Sequence, residues 1–428
     1  MLRDTDVIEH VSDKRSPSVI EERIESFALT PTGVDRHVRL RDGRTVVSSV
    51  AAQLQVPGIL PEDQYDLHWL KSKVLPPEAA INRGQVRIAD LFSGCGGLSV
   101  GIREACRALG LKSEFVFASD ANDVALDVYK KNFDPKKVLS GPLEGHLDGK
   151  IGARRTRREL ELVSALGAID FVVAGPPCQG HSDLNNHTRR DDPKNQLVIR
   201  VARFAELFRP MHILIENVRG IKNDKLGSLR TAMDILDRLG YKMADEVLSA
   251  DSVGVPQARK RFFLLASLEN APILSCEESR VSHVRNIGWA IDDLLNTKCD
   301  EVFETSATHS KVNQERIRYL FERDLYELPD NERPPCHRDK PHSYTGVYGR
   351  MKWDRPAPTI TTGFGSAGQG RFVHPLRQRT LTPHEAARLQ FFPDFFDFGD
   401  RGRRQYQELI GNAVPSKLAY SIVLNNLR

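Results

Sequence analysis

From residue 85 onward, the apolar positions fall into short solid runs separated by amphipathic stretches. The runs at 86–92, 115–119, 169–174, 212–215, 243–248 and 261–266 are rich in Val, Ile, Leu, Phe and Ala and are bounded by Gly, Pro, Asp or Asn. The run at 169–174, short, β-branched and bounded by turn residues, has the pattern of a buried parallel strand, and the others predict further strands. Between them, helical spacing of apolar residues predicts helices over 96–109, 124–132, 197–208 and 226–239, with a weak further strand at 138–140. Strand and helix in alternation predict a doubly wound α/β sheet.

The two flanks of that pattern read differently. In residues 1–84, Ser16-Pro17 followed by Val19, Ile20, Ile24 and Phe27 suggests a short amphipathic helix. The stretch 38–47 predicts a hairpin turning at Asp42-Gly43. A helix over 48–54 before the turn Val56-Pro57-Gly58 would give a faint helix-turn-helix. Leu75-Pro76-Pro77 reads as the linker out of this piece. Residues 270–379 lose the rhythm altogether and are rich in Pro, Gly, Thr and Arg. They predict short strands and long functional loops. Helices return at 382–391 and 416–427.

Composition changes this picture little, but charge distribution sharpens it. The 428 residues allow two or three domains, and 40% hydrophobic with 28% charged residues is ordinary for a globular protein. No apolar run approaches the roughly 20 residues of a membrane span. The start, MLRDTDVIEH, lacks a signal peptide's apolar stretch, so a cytoplasmic protein is expected. The six cysteines form no C-x-x-C pair, which argues for reduced thiols rather than disulfides or a zinc ribbon. Net charge is only +4, yet residues 331–379 alone carry nine Lys/Arg against three acids. A second basic run holds Lys150, Arg154, Arg155, Arg157 and Arg158. Clustered cations are the footprint that phosphate binding needs. The first 84 residues, with eleven Lys/Arg and thirteen Asp/Glu, lack that footprint and suggest a packing or partner-contact role.

Candidate chemistry gathers where predicted strands end. The first strand runs into D-L-F-S-G-C-G-G-L-S, whose Gly94, Gly96 and Gly97 let a ligand approach the backbone at a helix N-terminus. Ser99 stands where a dinucleotide fingerprint would want its third glycine, which weakens a nicotinamide reading. Asp120 at the end of the second strand is placed to accept ribose hydroxyls, so the pair points to an adenosine-containing cofactor. After the run 169–174, Gly175-Pro176-Pro177 forms a stiff loop that presents Cys178 at a strand's carboxyl edge. Taken by itself, Cys178 could equally be a buried structural thiol. Glu216 lies 38 residues further on, a natural span for one loop-helix-strand unit; a structural acid at a helix N-terminus is its alternative. In Gln257-Ala258-Arg259-Lys260-Arg261 the alternating arginines would project to one face if extended and could clamp a carbonyl or phosphate oxygen.

Six stretches in order, D-L-F-S-G-C-G-G-L, G-P-P-C-Q-G-H-S, I-E-N-V, Q-A-R-K-R, L-T-P-H-E-A-A-R-L-Q and G-N-A-V-P, resemble the motif series of DNA (cytosine-5) methyltransferases. The resemblance covers about residues 86–270 and 376–428. It implies a doubly wound mixed sheet of the S-adenosylmethionine-dependent methyltransferase fold, spanning 85–270 and 380–428. A smaller irregular, β-rich target recognition domain would occupy 271–379, with residues 1–84 as an N-terminal extension.

The resemblance also implies roles. S-adenosylmethionine would lie over Phe92, Ser93, Gly94, Gly96, Gly97 and Leu98, with its ribose on Asp120 and with Pro176, Asn412 and Val414 closing the pocket. Leu143 would be the adenine contact. Cys178 would attack C6 of a flipped-out cytosine, Glu216 would act at N3 and Arg259 would hold O2, with Arg261 supporting the loop. Two departures bear on the adenine end: Ala121 where the family often has an aromatic, and Pro142-Leu143 where an Asp-Ile-type pair is usual. The implied partners are double-stranded DNA and a cognate restriction endonuclease acting on the same site, with the enzyme acting as a monomer and with no membrane involved. An RNA (tRNA) methyltransferase, or a DNA-binding regulator using residues 1–84, are the alternatives.

Overall fold

A computed structural model describes residues 24–52, 58–177, 197–224, 226–276, 281–338 and 346–428. Cys178 therefore lies outside the described residues, as does most of the predicted helix near residues 16–27.

Seven strands make the central sheet: β4 (Gln85–Leu91), β5 (Lys112–Asp120), β6 (Lys137–Ser140), β7 (Phe171–Ala174), β8 (His212–Asn217), β9 (Lys242–Ser249) and β11 (Lys260–Ser267). Their spatial order is β6-β5-β4-β7-β8-β11-β9. The pairs β4–β5, β5–β6, β4–β7 and β7–β8 are parallel, and β11 runs antiparallel to both neighbours. The chain winds outward from β4 to β6, then returns and winds the other way from β7. The crevice between β4 and β7 is thus the reversal point where doubly wound sheets bind ligands. Every residue of β7 and β8 is buried, which explains their unbroken apolar runs.

Helices α2 (Gly97–Ala108), α3 (Asp123–Phe133) and α11 (Ser416–Leu427) cover one face. Helices α4 (Arg157–Leu166), α5 (Leu197–Phe208) and α6 (Ser228–Arg238) cover the other. Helix α4 was not anticipated. It begins inside the basic run at Thr156, whose side chain and Glu159 form a reciprocal cap, and buries Leu162 and Leu166.

The N-terminal expectations need correction. Residues 25–30 are not helical but form strand β1 (Glu25–Thr30), which pairs with β2 (Gly33–Arg39). The hairpin turning at Asp42-Gly43 is present, joining β2 to β3 (Thr45–Ala51). Residues 48–51 belong to that strand, which overturns the helix expected over 48–54. Alternation decided this: Val46, Ser48 and Val50 are buried while Thr45, Val47, Ser49 and Ala51 face out. Helix α1 (Pro61–Lys71) follows, with proline at its first position. The inner valines Val34, Val38, Val46 and Val50 share one apolar core with α2 and α11.

Residues 270–379 are irregular, as expected, but carry little strand. Among the described residues they hold only β12 (Ala357–Pro358) and isolated bridges at Arg350–Val373 and Val373–Thr380. They also hold α7 (Ile287–Ile291) and a twelve-residue helix, α8 (Lys311–Glu322), capped by Ser310. β12 pairs in parallel with β10 (Gln257–Ala258), stitching this region to the sheet domain. Helices α9 (Pro383–Leu389) and α10 (Arg403–Asn412) precede α11.

Candidate active site

The β4 tip turns through Phe92 (φ 57°), Gly94 (φ 52°) and Gly96 (φ 98°) before α2 begins. Gly96 is required twice over. Its φ lies in the left-handed region, and a Cβ would stand 2.3 Å from a ring carbon of Phe133. The Ser93 N–H donates to Ser119 O at 3.0 Å, pinning the loop to the β5 tip. Asp120 completes the link: its two carboxylate oxygens accept the Gly94 N–H and the Asn122 N–H, each at 2.8 Å. Burial raises the Asp120 pKa, and the backbone donors from Asn122 and Gly94 partly offset that rise. Ser99 is explained by Asp90 beneath the loop. Its hydroxyl donates to Asp90 at 2.6 Å, and burial pushes that carboxyl up to about 7.

Val414 meets this loop from the far end of the chain. A Cβ on Gly97 would lie 2.7 Å from Val414 O, so the two backbones touch. Leu98 is buried, and Asn412 is exposed beside Val414. Leu143, just beyond the β6 tip, is 3% exposed and belongs to the apolar core on that face.

On the β7 side, the Gly175 N–H donates to Leu91 O at 3.1 Å. A Cβ at Gly175 would lie 3.6 Å from Phe92 O and 3.8 Å from Glu216 Oε2. The loop leading to Cys178 therefore passes between the β4 tip and Glu216. Asn217, which sequence reasoning passed over, buckles it: its side-chain amide donates to Pro176 O at 3.2 Å. Its only signal was its place directly after the acid.

Glu216 is buried at the end of β8, and burial raises its pKa against the lowering effects of Arg261 and then Arg259. Arg261 Nε stands 3.1 Å from Glu216 Oε1. Arg259 is almost wholly buried and donates to Ile360 O at 2.7 Å. Both arginines thus act electrostatically on the acid, Arg261 the more strongly. Gln257, also missed, holds the seam behind them. Its amide donates to Leu389 O and Gln390 Oε1, each at 3.0 Å, and accepts the Ile360 N–H at 3.0 Å. Gly411 admits the same strand-like stretch, since a Cβ there would lie 2.2 Å from Thr362 N.

Beside Ala258, a groove of about 610 Å³ opens between the sheet domain and residues 325–371. Lys352, Arg355 and Arg371 line it, with Tyr326 and Glu327. Lys352 and Arg355 are exposed. Other thiols near the site are unsuited to attack: burial pushes Cys95 and Cys106 up to about 12.

The profile of the C-5 cytosine-specific DNA methylase family matches residues 86–427. A type II methyltransferase of Bacillus subtilis (strain 168), M1.BsuMI, is 50% identical over 435 residues, covering 99% of this chain and 100% of that protein. The type II methylase M.HgiDII of Herpetosiphon aurantiacus is 29% identical over 343 residues, covering 77% of this chain and 92% of that protein. Among solved structures, Entamoeba histolytica methyltransferase EhMeth superposes with a TM-score of 0.57 at 19% identity, covering 80% of this chain and 99% of that one. The Schizosaccharomyces pombe Dnmt2 methyltransferase does so with a TM-score of 0.53 at 19% identity, with the same coverage of 80% and 99%. At these identities, the superpositions speak for the fold.

Proposed function

The chain belongs to the C-5 cytosine-specific DNA methylase family and is a DNA (cytosine-5) methyltransferase of the restriction-modification type, and from that premise we propose how its residues carry out the transfer. The methyl donor is S-adenosylmethionine, which supplies an electrophilic methyl group when bound. The residues present fit such a group. Phe92, Ser93, Gly94, Gly96, Gly97 and Leu98 form the turn at the reversal point of the sheet, with Phe92 and Gly94 partly open to solvent, and Asp120 keeps carboxylate lone pairs for the ribose hydroxyls. Asn412, Val414 and Pro176 border the same crevice. Leu143 would support the adenine end from beneath.

The target cytosine has to leave the duplex for its ring to be reached. Cys178 adds as thiolate to C6, forming an S–C6 bond. The electron pair of the C5–C6 double bond moves toward C5 and N3, where Glu216 delivers its proton. A buried carboxyl with a raised pKa suits that role, because it holds the proton at a pH where an exposed carboxylate would not. Arg259 donates to the ring's O2, where negative charge also builds. C5 then takes the methyl group and gives up its proton to a base. The S–C6 bond breaks, Cys178 departs as thiolate and Glu216 recovers its proton. Arg261 tunes Glu216 rather than touching the base.

Residues 271–379 would recognise the duplex, with Lys352, Arg355 and Arg371 meeting phosphates along their groove. A cognate restriction endonuclease would share the recognition site, and the enzyme would act as a monomer. Among the described residues, no helix is long and apolar enough to cross a membrane.

The observation that carries this reading is the convergence at Gly175, on the approach to Cys178, where a single added Cβ would touch both Phe92 O and Glu216 Oε2. Its test is a duplex bearing 5-fluorocytosine at the methylated position. With fluorine at C5, the final elimination is blocked, so a denaturation-resistant adduct should accumulate and should be absent in Cys178→Ala. Methylation at C5 by Cys178→Ala would overturn the mechanism.

A further inference from the structure

The family match begins at residue 86, so the described residues 24–52 and 58–84 fall wholly outside it. Yet this segment holds some of the most deeply buried charges in the molecule, and they touch the two helices that end at the donor loop. Arg36, on β2, is 2% exposed. Its Nε and Nη2 donate to Ser48 Oγ on β3 at 3.1 and 2.9 Å. Its Nη1 donates to Tyr420 OH on α11 at 3.1 Å and lies 2.9 Å from Glu104 Oε1 on α2. One planar guanidinium thus joins two strands to both helices. Glu104 also accepts from Arg107 Nε and Nη2 at 2.9 and 2.8 Å, and the Tyr65 hydroxyl of α1 donates to it at 3.3 Å.

A second group of contacts lies along α1. Asp66 accepts from Lys417 in the first turn of α11, three residues beyond Val414. The same carboxylate accepts from Arg285 Nη1 at 2.5 Å, and Arg285 Nε donates to Asp63 at 2.8 Å. Lys71 pairs with Asp292 and Asp293 at 2.8 and 2.9 Å. Trp69 stacks on Phe391 with ring centroids 5.7 Å apart. Helix α1 therefore binds α11 on one side and the first helical segment of the 270–379 region on the other.

The helix pair it holds has no slack of its own. A Cβ on Gly101 would lie 1.9 Å from Ser416 O, and one on Gly97 would lie 2.7 Å from Val414 O. Glu104 is seven residues along α2 from Gly97, or about 10 Å at 1.5 Å per residue. A rigid helix pair carries a displacement at Glu104 and Tyr420 to Gly97 and Val414 at its tip.

We propose that the three-stranded sheet β1–β3 and helix α1 are a built-in clamp for the methyl-donor pocket, with Arg36 as the positioning residue that fixes α2 against α11. The proposal rests on the donor-site reading given above. It makes the segment a part of the donor site's rigidity, in place of a DNA-binding or regulatory module. Donor affinity depends on the Arg36 contacts although Arg36 touches no donor atom.

The test uses the full-length enzyme with S-adenosylhomocysteine as the calorimetric probe. Arg36→Lys keeps the charge but loses the fork, and Tyr420→Phe removes one acceptor while keeping the ring. Each should fold and weaken the probe's Kd by about tenfold, the scale of coupling seen for residues that contact no ligand. Duplex affinity and the turnover rate at saturating donor should stay within about twofold in each variant, against that tenfold change in Kd. If Arg36→Lys fails to fold, Tyr420→Phe decides. A folded variant with lowered thermal stability but the parent's Kd for the probe would show a merely structural role and overturn the proposal. Asp120→Ala separates the two readings. If it weakens the probe and the Arg36 and Tyr420 variants do not, only the clamp fails. If it leaves the probe's Kd unchanged, the donor-site reading fails.

Discussion

Gly101→Ala is the substitution whose sign the tertiary structure reverses. In an exposed helix interior, alanine is more favourable than glycine by about 1 kcal/mol. Gly101 sits mid-way along α2, so propensity alone predicts a more stable protein. The new Cβ, however, would stand 1.9 Å from Ser416 O and 2.8 Å from Tyr420 N, both backbone atoms of α11. Ordinary contact begins near 3.4 Å, so α11 would have to retreat by roughly 1.5 Å, enough to forfeit a large share of the dispersion energy along the seam. Overpacking of this kind costs about 1–3 kcal/mol, and a clash with backbone lies at the upper end. Set against the propensity gain, the net loss should be about 2 kcal/mol. Because Val414 lies two residues before Ser416, the same retreat should weaken binding of S-adenosylhomocysteine. Urea denaturation gives the first quantity and calorimetric titration the second. Gly145→Ala is the control, since a Cβ there meets nothing within 4 Å, and it should be near neutral. A Gly101→Ala enzyme as stable as the parent, binding the probe equally well, would refute the close approach of α2 and α11.

Two further outcomes follow from the charges. Arg261 is the larger of the two cationic influences holding the Glu216 pKa down. In Arg261→Gln, the carboxyl should keep its proton to higher pH, so the alkaline fall in single-turnover methylation should move upward; an unmoved limb would count against Glu216 as the proton donor. His384 sits between Glu304 at 2.8 Å and Asp394 at 2.9 Å, joining the 270–379 region to the segment after α9. Burial alone would lower its pKa, but Asp394 and Glu304 push it up to about 9. A folded-state pKa above the ordinary value of 6.5 means that its stabilisation is full below about 6.5 and is lost as pH rises through about 9. The stability difference between the parent and His384→Gln should therefore shrink across that window in urea melts at stepped pH. A difference that is flat with pH would show that the ring is not charged.

Local chemistry was enough to place much of this protein. The unbroken apolar runs of β7 and β8 were legible because a strand buried on both faces leaves no polar position to confuse the pattern, whereas β6 and β9, with mostly unburied residues, gave weaker signals. Glycines, an acid and a Gly-Pro-Pro-Cys turn at successive strand ends pointed to a ligand edge, because turn geometry and strand direction are written into adjacent residues. The hairpin at Asp42-Gly43 was legible for the same reason.

What the sequence could not decide was everything set by residues far apart in the chain. Strand β1 and the end of β3 read as helix because their apolar spacing was ambiguous until their sheet found α1 and α2 to pack against. Gln257 and Gln390 carried no local signal, and Asn217 only its place after the acid, since an amide becomes a buckle only when folding puts a carbonyl or a second amide within 3 Å or so of it. Arg36 looked like one cation among many in a segment without basic surplus. Its partners Glu104 and Tyr420 lie 68 and 384 residues away. Chain order identifies which groups can do the chemistry, and three-dimensional packing decides which of them are held still enough to do it.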